Sequence, residues 1–253
     1  MEKISRRQFN HDAIRSLLTF SLAKSLSDAA ALAAPLRPVV RPWVLEMERA
    51  TKAMRSGSIS QKTWQQGIEE LLARVSLDDL LRAIDYDALM KRAIFQPVHE
   101  TVLDVDLGER EGIKDELSFN PYFYAMKRGT NIVPHGHKNM ATMHMVLSGE
   151  AQAIHYDRVG EDGHHLMIKP VSDLLAKAGD ASTVSDERTN IHWFKTVSER
   201  VFMFNIGVFG LDSTKSITGR EYVDPVRGER EGNGVIRARR LTHEQAYKLY
   251  SGG

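Results

Sequence analysis

The sequence predicts an all-β domain, a sandwich or closed barrel, carried behind a helical N-terminal appendage. Three observations support this. From about residue 98 the chain breaks into short runs of apolar and β-branched residues separated by glycine and polar turns, the pattern of many short strands. Before that point apolar residues recur at helical spacing. The 253 residues are 42% hydrophobic and 26% charged, a composition that buries a core of ordinary size.

The first segment, residues 1–34, has the order basic, apolar, small. Arg6 and Arg7 precede Phe9, an apolar stretch follows from Ser16 to Ala23, and Ala31-Leu32-Ala33 has the small-x-small form of a cleavage site. This order resembles a twin-arginine export signal, which implies recognition by the twin-arginine export machinery and a periplasmic or secreted protein. The alternative is a helical arm packed through Ile14, Leu17, Leu18 and Leu22, with a cytoplasmic location. No run reaches the roughly 18 apolar residues of a membrane span.

Residues 35–97 read as a linker and helical appendage. Pro35, Pro38 and Pro42 stiffen residues 35–42. Ile68, Leu71, Leu72 and Val75 then fall on one helical face, and Leu77, Leu80, Leu81 and Ile84 on the next. Ser76 caps the second of these helices, and Asp85 or Asp87 caps a third. Residues 98–225 carry the barrel. After an alternating run from Val98 to Leu107, strands are expected at Phe119–Met126, Asn131–His137, Thr142–Leu147, Ala151–Tyr156, Leu166–Ile168, Ile191–Val197 and Val201–Val208. Turns are expected at Gly129, Gly149, Gly160–Gly163 and Gly179. Residues 226–253 add a strand at Val235–Arg239 and a short helix opened by the Thr242–Gln245 capping box.

Charge and composition exclude several functions. Lys plus Arg is 34 and Asp plus Glu is 33, a formal charge of +1, so no basic excess points to nucleic acid. With no cysteine there are no disulfides, thiolate metal sites or cysteine nucleophiles. The glycine-containing stretches 108–112 and 228–234 lack the strand–loop–helix context of a phosphate cradle, and no serine sits in a nucleophile elbow. Metal chemistry therefore falls to the ten histidines.

His135 and His137 lie in one strand, and their spacing of two puts both imidazoles on the same face. Gly136 between them leaves the opposite face open to close packing. His192 lies in the later strand Ile191–Val197. Three neutral imidazoles from two strands make one triangular face of a coordination sphere and leave the other positions open. His144 shares a face with Thr142 and is a fourth ligand, a donor behind the ligands or a buried polar residue. His155 has the parity to approach the pocket, with a rim or surface position expected. Met140, Met143 and Met145 are expected in the core. Tyr156 and Tyr222 either place a polar group of the substrate or are buried tyrosines with bonded hydroxyls.

The stretch from Gly129 through His135, His137 and Thr142 to Gly149 resembles the first motif of the cupin superfamily, and Gly179-Asp180 with His192 resembles its second. The resemblance implies a double-stranded β-helix barrel, or jelly roll. Thr142 stands where that motif has a glutamate, leaving three histidines alone. This resembles the three-histidine thiol dioxygenases, and within them the cysteamine dioxygenase and plant cysteine oxidase group. Pro134-His135-Gly136-His137 with Met140, Tyr156-Asp157, and Asn190-Ile191-His192 with Phe194 carry the likeness. It implies a mononuclear Fe(II) site on His135, His137 and His192, with Zn, Ni or Mn as other divalent metals such a set holds. It also implies a small thiol as substrate and O2 as co-substrate; His144, from its strand face, and Tyr156, from its hydroxyl, are the candidate catalytic side chains. One departure concerns the acid that this group carries on the strand after the third histidine. That position is expected at Phe204, with Asn205 beside it. A homo-oligomer is a further expected partner state, and nucleic acid and a membrane span are not expected.

Overall fold

The computed structural model describes residues 40–113 and 116–252. The segment read as an export signal or arm lies outside the described residues. No helix among those described is long and apolar enough to cross a membrane.

Four helices come first: α1 (Val40–Arg55), α2 (Gln61–Leu72), α3 (Leu77–Ala83) and α4 (Tyr86–Arg92). Pro42, expected in a stiff linker, lies instead in the first turn of α1, where a missing N–H costs nothing because first-turn amides have no partner in the helix. Ser76 caps α3 as expected, its hydroxyl accepting from Asp79 N at 3.1 Å. Such a cap is worth about 1 kcal/mol. Asp85 occupies the cap position of α4 but in the left-handed region, φ 56°, with no side-chain capping bond.

The β elements follow: β1 (Thr101–Asp104), a short helix α5 (Leu107–Arg110), β2 (Asn120–Lys127), β3 (Asn131–Lys138), β4 (Met140–Ser148), β5 (Glu150–Glu161), β6 (His165–Lys177), β7 (Ala181–Val184), β8 (Ile191–Thr196), β9 (Arg200–Phe209), β10 (Thr218–Arg230) and β11 (Ile236–Leu241), then helix α6 (His243–Tyr250). One sheet has the order β1-β2-β9-β4-β7. The other closes on itself as β10-β11-β6-β5-β8-β3. Strands β2 to β9 thus alternate between two sheets in the orders 2-9-4-7 and 3-8-5-6, the winding of a double-stranded β-helix or jelly roll. The expected all-β fold with a helical appendage is what the chain adopts.

Three details differ from expectation. The boundary expected at residue 225 falls inside β10, and β11 belongs to the barrel. β5 runs through Gly160 to Glu161, so the turn begins only at Asp162. β7 and most of β10 lie where no strand was expected. Gly129, Gly149 and Gly179 all adopt positive φ. At Gly149 a Cβ would strike the Arg200 carbonyl, so both backbone conformation and space require glycine there.

The helices cover the outer face of the five-stranded sheet. Trp43, Met47, Trp64 and Ile68 pack with Phe123, Met143, Met145, Phe202, Phe204 and Ile206 in one apolar cluster. Trp43 meets Phe204 with ring centroids 6.4 Å apart. Polar bonds fix the docking. Glu48 accepts from both Ser118 N and Ser118 Oγ at 2.8 Å. Buried Gln65 on α2 donates to Thr183 Oγ1 at 3.2 Å and accepts from Ser185 Oγ at 2.8 Å. This ties the appendage to the loop that leads into β8.

Candidate metal centre

The histidine site lies between the two sheets and is set by strand pairing. β3 and β8 are antiparallel neighbours, with His135 directly opposite His192. On the other side of β8, His192 is opposite His155 on β5, and His155 is opposite Ser172 on β6. On the other side of β3, His135 faces Tyr222 on β10. One transverse row therefore carries Tyr222, His135, His192, His155 and Ser172.

The register shifts between Ile132 and His135. That irregularity, beside Pro134, lets Ile132 line the same cavity as His135 and His137 despite its opposite parity. Asn190 staples the two ligand-bearing strands: its Nδ2 donates to His137 O at 2.8 Å and to Ser185 O at 3.1 Å. A Cβ on Gly136 would overlap Ile191 Cδ1 and come within 2.5 Å of Asn190 Oδ1, so the close approach of β8 requires glycine between the two histidines.

One ring nitrogen from each of His135, His137 and His192 lies within 4.8 Å of the others. The expected grouping of these three side chains is therefore present. His135 Nδ1 is 2.7 Å from Val133 O, and His192 Nδ1 is 3.3 Å from Asn190 O. A backbone carbonyl at Nδ1 holds the proton there and leaves the Nε2 lone pair for a ligand bond. His137 Nδ1 is buried without a hydrogen-bond partner among the described residues, a cost that a coordinated metal relieves. Burial, followed by the charges of neighbouring histidines and Arg220, pushes the pKa of His135 well below 6.5. Burial and then neighbouring histidines do the same for His192. His137 is lowered to about 3, mainly by burial and then by Arg220. All three imidazoles are thus neutral, the protonation state a divalent metal needs. The residues present fit such an ion.

The cavity beside them has a volume of about 180 Å³. Its walls are Tyr124, Ile132, Met140, Thr142, His144, Asn205, Phe209 and Arg220 together with the three histidines. Met140, Thr142 and His144 alternate on β4, and Asn205 is the register partner of His144 on β9. Thr142, at the glutamate position of the cupin motif, reaches the cavity wall, and its Oγ1 has no hydrogen-bond partner among the described residues. His144 also lines the cavity, with its ring centroid 5.1 Å from that of His192, but it does not belong to the three-histidine group.

Other candidates fall elsewhere. Tyr156 is absent from the cavity wall. It joins Ile154, Leu166, Ile168, Ile191, Trp193 and Val223 in an apolar cluster, because His155 takes the inward position and successive strand residues face opposite ways. Phe204 is also outside the cavity, packed toward the helices, and Asn205 holds the inward position instead. His155, expected at a rim or surface, is buried, with Nδ1 3.1 Å from Ser172 Oγ. Met143 and Met145 are core residues, as expected, while Met140 lines the cavity.

Arg220 and Tyr124 escaped the sequence reading. Arg220 pairs with Glu100 and donates to Tyr247 Oη at 2.9 Å, and Tyr247 in turn donates to Glu100 Oε2 at 3.3 Å. Burial opposes its charge, but Glu100 and Tyr247 raise its pKa above the ordinary value. Tyr124 is pushed up to about 12, mainly by burial, so its hydroxyl stays protonated. Arg220 sits on β10, whose charges and Pro225 hide the strand. The nearby Tyr222-Val223 pair was the available signal.

No protein-family model matches the chain, and no curated protein matches it. Among solved structures, an oxalate oxidase in complex with the substrate analogue glycolate is similar at 19% identity over 49% of this chain and 56% of that one, with a TM-score of 0.33. Procruciferin, an 11S globulin from Brassica napus, is similar at 13% identity over 46% of this chain and 27% of that one, with a TM-score of 0.34. A cupin superfamily protein from Desulfitobacterium hafniense is similar at 13% identity over 44% of this chain and 77% of that one, with a TM-score of 0.29. The chain thus spans 56% or less of the length of the first two. Its own strand order, rather than any of these likenesses, makes it a double-stranded β-helix.

Proposed function

We propose that the chain is a metal-dependent cupin enzyme, a mononuclear non-haem iron dioxygenase that oxidises a small thiol with O2. The observation that carries this reading is the convergence of three neutral imidazole nitrogens within 4.8 Å beside a buried cavity that no carboxylate lines. An Fe(II) ion held by His135, His137 and His192 would supply open positions for thiolate and O2 and lower the thiol's pKa. In the net reaction a thiolate and O2 give a sulfinate, with both oxygen atoms on sulfur.

The chain's own residues do the rest. The carbonyls of Val133 and Asn190 fix the tautomers of His135 and His192. Ile132, Met140 and Phe209 line the cavity with apolar surface, which limits water around the reacting groups. Thr142, with its neutral hydroxyl, leaves the three neutral imidazoles without a carboxylate as fourth ligand. His144 faces the substrate space from β4. Tyr156, on the apolar side of β5, serves as a core residue in this reading.

The test is metal analysis of protein purified without added metal, followed by oxygen-uptake measurements with a panel of small thiols. Iron in the protein and thiol-dependent oxygen uptake yielding sulfinate are expected. Zinc with no oxygen uptake would move the reading to a lyase, isomerase or non-catalytic cupin, and uptake without a thiol to a dioxygenase of another substrate. For the N-terminal segment, we propose export with cleavage after Ala33. N-terminal sequencing from the native host should find Ala34 first, and an intact Met1 would end that idea.

A further inference from the structure

We propose that the cavity wall facing the three histidines reads the far end of the substrate, and that this end is an anionic hydrogen-bond acceptor such as a carboxylate, not an ammonium group. This rests on the reading of the three imidazoles as the metal face. None of the cavity-lining residues is acidic. Asn205 is buried, and its Nδ2 has no hydrogen-bond partner among the described residues. The same holds for Thr142 Oγ1 and His144 Nδ1. All three come from the paired strands β4 and β9, so they form one patch on the sheet opposite His192.

Arg220 adds a guanidinium to the same cavity from β10, beside β3 in the histidine-bearing sheet. The carboxylate of Glu100 lies behind it, paired with Arg220 and reached by the Tyr247 hydroxyl. Glu100 holds the guanidinium in place and does not itself line the cavity. An ammonium entering this space would meet a divalent ion, a guanidinium and an amide N–H, with no carboxylate to replace its lost water. A carboxylate would satisfy Asn205 Nδ2 and take a charge-assisted bond from Arg220. Asn205 is therefore the specificity-determining residue, and its isostere aspartate would reverse the wall's preference.

The experiment is anaerobic calorimetric titration of the metal-loaded protein with mercaptopropionate and cysteamine, small thiols that end in a carboxylate and an ammonium. Mercaptopropionate should bind more tightly by about tenfold or more, the ratio expected for a hydrogen bond to a charged group. Asn205→Asp should lower that ratio by about tenfold or more. Asn205→Leu covers the case in which a buried aspartate prevents folding: it should weaken mercaptopropionate by about tenfold and leave cysteamine unchanged. Cysteamine binding as tightly in the unmodified protein, binding of neither thiol, or an unchanged ratio in Asn205→Leu would overturn the inference. Oxygen uptake separates it from the broader reading. Selective mercaptopropionate binding without uptake keeps the acceptor-reading wall and removes the dioxygenase. Uptake with cysteamine alone does the reverse.

Discussion

The two faces of β5 and β8 carry different chemistry on one backbone. Toward the space between the sheets they present His155, His192 and Phe194, with the histidines neutral and buried. Toward the opposite side they present Ile154, Tyr156, Ile191 and Trp193, which join one apolar cluster. The difference teaches that the site is a matter of parity. A one-residue slip would exchange ligands for core residues along the whole strand.

The comparison breaks most completely at His192. His192→Ala should lower metal affinity by well over the roughly 100-fold that even an outer partner of a ligand is worth, while circular dichroism and cooperative unfolding persist. Loss of folding together with loss of metal would refute the separation of the two faces. On the other face, Trp193→Ala should cost about 3–5 kcal/mol of stability by denaturant titration, with metal per folded chain unchanged. Trp193 packs edge-on to Tyr250, with centroids 4.9 Å apart, and lies beneath the Lys195 ammonium. Gly136→Ala touches both faces, because a Cβ there meets Ile191 on one side and the Asn190 staple on the other. A loss of about 1–3 kcal/mol, accompanied by weaker metal binding, is the expected result.

Acid should distinguish the faces without mutation. An unfolded imidazole binds its proton near 6.5, but folded His155 does so only at about 4 and folded His137 at about 3, in both cases chiefly because of burial. Between those limits the unfolded chain holds more protons than the native one, so native stability falls as pH falls. The thermal midpoint of the metal-free protein should therefore drop steadily from pH 6.5 toward about 4, and a flat profile would contradict the neutral assignment. The smallest effect belongs to Thr142→Ala. Its hydroxyl makes no hydrogen bond among the described residues, so metal content should be retained and stability should change by less than about 1 kcal/mol, measured on the same titration.

Much of the fold was legible because many of its strands hold apolar runs bounded by glycine turns, and because the Ser76 and Thr242 caps are local signals. The ligand set was legible for a similar reason: His135-Gly136-His137 fixes its own parity within three residues. The facing wall was not. β9 is buried on both faces from Val201 to Val208, helices on one side and cavity on the other, so its apolar run carries no phase. Phe204 and Asn205 were therefore placed one step out. His155 was misplaced because β5 continues past Gly160, which puts it in mid-strand rather than at a rim. Arg220 was hidden by long-range pairing of a polar strand, for which local propensity has no signature.

The pairing of His135 with His192 also sets an order of events. β3 and β8 are neighbours in the sheet but far apart along the chain, with four strands between them. Bringing them together carries the loop-closure cost that makes such contacts form late. No early, local folding intermediate therefore presents all three imidazoles at once. An ion held by the three histidines would enter a barrel that has already closed, and removing it with a chelator should leave a folded, reloadable protein, unlike a zinc finger, which falls apart without its metal.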